Sequence, residues 1–281
     1  MNTEKLRLKA SEAVGDYLSE SVHKVVFGKK NLEAARKHLG NGGSLLIFAN
    51  HFSYLEIALH TRIIQDYLTS LDHVTGIASR RHFDKEQGMI NRIQSELTSD
   101  WKKIYGGDIL LAVQRKDRED YEDWARFNGK TASQAARRLR EEPGSIVFIC
   151  PEGTRSTTNK LLKAEEGLDT ILKHGGENVL ALPLAAIHKT ILPGRRTTVT
   201  AGELFSYQDL LDDKAMYQAH YERSMGLEDP KKMPDINLSD CAMTRLASYL
   251  PIDNQGVYTD LVAVRKQLIL PGDVDFKTPS C

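Results

Sequence analysis

The sequence predicts an α/β fold: a single domain with a central mixed, largely parallel sheet flanked by helices, plus N-terminal and C-terminal helical additions. Short apolar runs of strand length recur along the chain, among them Leu45-Leu46-Ile47-Phe48-Ala49, Ile146-Val147-Phe148-Ile149-Cys150 and 179–187. Segments with apolar residues at helical spacing lie between them, so strands alternate with helices. The length, 281 residues, suits one large α/β domain or a core domain with terminal additions.

Taken in order, residues 4–27 read as an amphipathic helix, with Leu8, Val14, Leu18, Val22 and Val25 at helical spacing and Gly28 as its stop. A short helix over 31–39 closes at Gly40-Asn41-Gly42-Gly43, and Ser44–Ala49 reads as a buried strand. A helix is expected over 54–68, a strand over 74–79, a helix over 84–97 and a strand over 108–113. Residues 114–128 are charged and aromatic and read as a loop or insertion. A helix over 131–140 is broken by Pro143-Gly144, and 145–150 is a strand. A helix over 163–174 stops at Gly175-Gly176; strands follow over 179–187 and 197–202. Residues 206–224 read as a helix, 226–239 as a loop, and the C-terminal part as helices followed by a tail from Pro271. The expected organisation is N-terminal helices over 1–39, a core over 40–205, and C-terminal helices and tail over 206–281. There is no internal repeat.

Composition narrows the function classes. Formal net charge is zero, so the whole molecule carries no electrostatic case for nucleic acid or an acidic membrane, and any anion site must come from local clusters. No stretch approaches the ~18 apolar residues of a transmembrane helix, and the N-terminus lacks the order of a signal peptide. Three cysteines, Cys150, Cys241 and Cys281, are far apart with no metal or redox spacing. A cytoplasmic, reduced protein is the expectation.

Two segments carry chemistry. Asn50-His51-Phe52-Ser53-Tyr54-Leu55-Glu56 follows a buried strand and opens a helix. A histidine at a strand end sits where ligand crevices form in open α/β sheets, and a carboxylate in the first helical turn is within reach of its imidazole. Ser53 to Glu56 also fits a helix capping box, so Glu56 has a structural reading beside the catalytic one. The second segment, Cys150-Pro151-Glu152-Gly153-Thr154-Arg155-Ser156, leaves another strand on a turn built by Pro and Gly. Gly153 permits close backbone approach, and Arg155 offers a planar fork suited to phosphate. Cys150 reads as a core thiol. The absence of a Gly-x-Ser-x-Gly elbow around Ser53 or Ser156 argues against a serine hydrolase. Arg80-Arg81-His82 is a local basic cluster and a candidate anion contact; Arg137-Arg138 and Arg195-Arg196 read as solvated faces.

Together these segments resemble the glycerophospholipid acyltransferases, the lysophosphatidate and glycerol-3-phosphate acyltransferases. Four blocks define that family, and the resemblance spans residues 40–205. His51 to Glu56 is similar to the first block, and Ile109-Leu110-Leu111-Ala112-Val113-Gln114-Arg115 to the second, an apolar strand ending in arginine. Pro151-Glu152-Gly153-Thr154-Arg155-Ser156 matches the third, and Ala181-Leu182-Pro183-Leu184 the fourth. The sequence departs from the family at one position: the family carries aspartate five residues after the histidine, and here it is Glu56.

The resemblance implies transfer of an acyl group from a thioester, acyl-CoA or acyl carrier protein, to a hydroxyl of a glycerol phosphate, with no other cofactor. His51 is then the general base and Glu56 its orienting partner. Arg115 and Arg155, helped by Lys116, bind the phosphate, and backbone N–H groups near Gly153 and Thr154 face the oxyanion. Glu152 holds the turn or a substrate hydroxyl, and the turn is favoured because a carboxylate beside a bound phosphate would repel it. The first-choice acceptor is 1-acyl-glycerol-3-phosphate, and glycerol 3-phosphate is the alternative. Residues 4–27 carry too many charges to span a bilayer, which leaves a soluble or peripheral enzyme. A non-catalytic lipid- or carrier-binding protein with this fold is the reading that only the Glu56 change favours.

Overall fold

The computed structural model describes residues 23–51, 56–69, 73–83, 107–187, 196–224 and 235–269. Seven strands among the described residues form one sheet: β1 (His23–Phe27), β2 (Ser44–Ala49), β3 (Val74–Ser79), β4 (Asp108–Ala112), β5 (Ile146–Ile149), β6 (Val179–Ile187) and β7 (Arg196–Ala201). Their order is β1-β7-β6-β2-β5-β3-β4. Every pairing is parallel except β6 with β7. The sheet is therefore mixed and largely parallel, as the alternation of strands and helices predicts.

The seven described helices are α1 (Lys29–Gly40), α2 (Glu56–Tyr67), α3 (Trp124–Glu141), α4 (Leu168–Gly175), α5 (Tyr207–Ser224), α6 (Leu238–Ala247) and α7 (Thr259–Ile269). Side chains alternate across a strand, and β2 shows what this does. Leu46 and Phe48 point into a cluster with α3, α4, α5, α6 and α7. Leu45, Ile47 and Ala49 point into a second cluster with α1 and α2. Both faces of the central strands are covered, which is why β2 is buried along its whole length and apolar from Leu45 to Ala49.

Several elements differ from the sequence expectation. Residues 23–27, read as the end of a helix, form an edge strand that runs parallel to β7. The Val25-Val26 pair is β-branched and suits a pleated edge better than a last helical turn. Helix α3 starts at Trp124, inside the expected loop. Tertiary contacts hold this first part: Arg118 stacks on Trp124 at 3.8 Å, Arg80 on Phe127 at 4.6 Å, and the Asn128 carboxamide pairs with both backbone groups of Val113. Helix α4 starts only at Leu168, because two preceding amides are already engaged. The Ala164 N–H donates to the Tyr258 hydroxyl and the Glu165 N–H to the Pro151 carbonyl. Arg138 is no solvated residue; it donates to Thr75 and pairs with Asp108, joining α3 to β3 and β4. The helices expected over 4–22 and 84–97 and the tail from Pro271 lie outside the described residues.

Candidate active site

The five strands β2 to β6 run the same way, so their carboxyl ends line one edge of the sheet. β2 and β5 are neighbours there, yet their onward helices pack on opposite faces, α2 on one and α4 on the other. Ligand crevices in open α/β sheets form at such a place.

The β2–β5 register pairs Phe48 with Ile149. Continued past the strand ends, the same register brings His51 opposite Glu152. The contact is made: the His51 backbone N–H donates to Glu152 Oε1 at 2.7 Å. The His51 carbonyl accepts from the Ser156 N–H at 2.9 Å. The two chemistry-bearing segments are thus joined by two hydrogen bonds. Glu152 is 2% exposed, and its other oxygen accepts from the Leu162 N–H at 2.7 Å. A buried carboxylate between two amide donors is a structural clamp.

Asn50 fixes the other side of His51. Its carboxamide donates to the Ala186 carbonyl at 2.9 Å and accepts from the Ala186 N–H at 2.7 Å. The side chain extends the β2–β6 pairing past the point where the β2 backbone turns away. His51 is half-buried between these two clamps. Glu56 is the first residue of α2, and its side chain lies outside the described residues, so the expected His51–Glu56 pair is not described.

Pro151 and Gly153 build the second turn. Gly153 takes φ +65°, a conformation that favours glycine, and its N–H donates to the Cys150 carbonyl at 3.1 Å. That N–H closes the turn, so it does not face an oxyanion as expected. Thr154 and Arg155 are half-buried beyond it. The Ser156 hydroxyl accepts from the Thr158 and Lys160 amides, holding the loop that follows.

Arg115 opens a short 3-10 helix, Arg115–Asp120, directly after β4. Its Nε lies 3.0 Å from Glu165 Oε1, and Arg118 Nη2 lies 2.7 Å from Glu165 Oε2. Lys116 is exposed. Of the Arg80-Arg81 cluster, Arg80 stacks on Tyr121 and Phe127 at 4.6 Å each, and Arg81 pairs with Asp117 at 2.6 Å. Both hold the 115–127 segment onto the end of β3.

Sequence reasoning missed roles for Asn50, Arg118, Ser156 and Glu165. Asn50 carried a signal, an amide placed directly after a buried strand. Glu165 carried none, since its partners come from another strand end. Cys241 is buried, and burial pushes its thiol up to about 12; Cys150 packs against the second core cluster. Among the described residues, no group of three or more His, Cys, Asp or Glu side chains is placed to hold a metal ion. No described helix is long and apolar enough to cross a membrane.

No protein-family model matches the chain, and no curated protein matches it. A solved structure is similar to it. This is the crystal structure of the 1-acyl-sn-glycerophosphate (LPA) acyltransferase, PlsC, from Thermotoga maritima. Identity is 18%, over 73% of this chain and 72% of that one, with a TM-score of 0.41.

Proposed function

We propose that the protein is an acyltransferase that moves a fatty acyl group from a thioester to a hydroxyl of 1-acyl-glycerol-3-phosphate. The observation that carries the proposal is the junction of His51 with Glu152 and Ser156. It sets the histidine and the arginine-bearing turn side by side at the carboxyl ends of two adjacent parallel strands.

In this reading the His51 imidazole takes the acceptor's hydroxyl proton as the oxygen attacks the thioester carbonyl. The tetrahedral oxyanion collapses, the C–S bond breaks, and the departing thiolate takes the proton back from the imidazolium. An ester and a free thiol result, with no acyl-enzyme. Glu56 orients the imidazole. Arg115 and Arg155, with Lys116 nearby, hold the phosphate, and the Thr154 N–H faces the oxyanion. The donor is acyl-CoA or acyl carrier protein. Glycerol 3-phosphate is the second candidate acceptor.

Incubation of the wild-type protein with a labelled acyl thioester and each acceptor tests this. The expected product is labelled phosphatidate, with acceptor-dependent release of free thiol. Release of free fatty acid that ignores the acceptor points to a hydrolase. Binding of the thioester without turnover points to a lipid- or carrier-binding protein.

A further inference from the structure

Two guanidinium groups meet one carboxylate beside the Pro151 turn. The Glu165 carboxylate reaches Arg115 with one oxygen and Arg118 with the other, at 3.0 and 2.7 Å. Its main chain is fixed, because its N–H donates to the Pro151 carbonyl at 2.7 Å. A Cβ on Gly153 would lie 2.7 Å from Glu165 Cγ, so this glycine leaves the space in which the side chain lies over the turn. Arg118 lies against the Trp124 ring at 3.8 Å, and its Nε is buried without a hydrogen-bond partner among the described residues.

Arg115 and Arg118 thus share Glu165 as an ion-pair partner, on a 3-10 helix that also carries Asp117, Glu119 and Asp120. A carboxylate offers two oxygens to two guanidinium forks, whereas a phosphate monoester offers three and more negative charge. The Arg115–Glu165 pair is partly solvated, with Arg115 54% exposed, and such a pair is individually weak, whereas Arg118 at 28% is the less exposed partner. One anion can therefore replace another at small cost.

We propose that Glu165 is the resident counter-ion of a phosphate subsite formed by Arg115 and Arg118. The acceptor's phosphate displaces its carboxylate, while its backbone stays pinned to Pro151. The inference rests on the reading of a phosphate-bearing acceptor, and it adds Arg118 and Glu165 to the residues that select that acceptor. A purely structural Glu165, tying the two arginines in place, makes the opposite prediction: its removal lets them splay and weakens phosphate binding.

Calorimetric titration of inorganic phosphate into wild type, Glu165→Gln and Arg118→Gln at fixed ionic strength separates the two. Glu165→Gln is expected to bind phosphate about fivefold tighter than wild type, and Arg118→Gln about fivefold weaker. Should Glu165→Gln fail to fold, Glu165→Asp, one methylene too short to reach both arginines, reads the same sign. Equal or weaker binding by the Glu165 variant overturns the proposal, as does unchanged binding by Arg118→Gln or no binding by any of these proteins. The titration needs no turnover, so a failure of the acyl-transfer reading and a failure of this one are told apart.

Discussion

Glu152 is 2% exposed, and each of its carboxyl oxygens accepts a backbone amide at 2.7 Å. A glutamine in its place keeps the shape but offers only one acceptor oxygen. Either the His51 or the Leu162 N–H then faces an NH2 group. Glu152→Gln is expected to lower the free energy of unfolding by about 1–3 kcal/mol, measured by urea titration. It should also reduce activity at temperatures where the variant is fully folded, because the His51 backbone loses its tether. An unchanged midpoint would mean that the clamp contributes nothing. That His51 and Glu152 come at strand ends was legible in the sequence because each follows an apolar run by two residues. The partners of Asn50 and Glu165 were not, because they depend on which strands are neighbours, although the place of Asn50 directly after a buried strand was a local signal.

At the scale of elements, α5 starts on a Ser206-x-x-Asp209 pattern that closes as a capping box. The Asp209 carboxylate accepts from both the amide and the hydroxyl of Ser206, and the Ser206 hydroxyl accepts from the Asp209 N–H. Burial pushes the Asp209 carboxyl up, but the Ser206 hydrogen bonds and the nearby Arg245 and Arg265 outweigh it and leave it below the usual carboxylate range. A depressed folded-state value stabilises the protein above the unfolded carboxylate value and is lost as pH falls through the folded one. Asp209→Ala is therefore expected to cost about 1 kcal/mol at neutral pH. The gap to wild type should narrow as pH drops below about 4. Thermal melts of both proteins across that range check the sign; a gap that widens in acid contradicts it. The bounds of β2 and β6 follow directly from their apolar runs. The starts of α3 and α4 did not, since ring stacking extends one and hydrogen bonds to distant residues delay the other.

Across the whole molecule, one carboxylate joins the three C-terminal helices. Asp213 on α5 accepts from Arg245 of α6 and Arg265 of α7, each at 2.6 Å. Arg245 also lies over the Phe205 ring at 4.7 Å, which ties the group to the sheet-facing core. All three charged side chains are largely buried. Removing the shared anion strands two guanidinium charges, so Asp213→Asn is expected to destabilise the fold by about 3–5 kcal/mol in denaturant titration. A loss under 1 kcal/mol, about what an exposed pair contributes, would contradict that. The layer order was legible from the alternation of strands and helices. That β1 joins the sheet beside β7 was not, because helical spacing and a short β-branched run overlap at residues 22–27.

The central claim is that His51 is the base, and the rate of acyl transfer by His51→Ala tests it most directly. A positioned general base accelerates a step by about 10²–10⁴-fold. The alanine variant, folded and supplied with the same thioester and acceptor, is expected to lose at least about a hundredfold in kcat. Full activity in that variant would contradict the account.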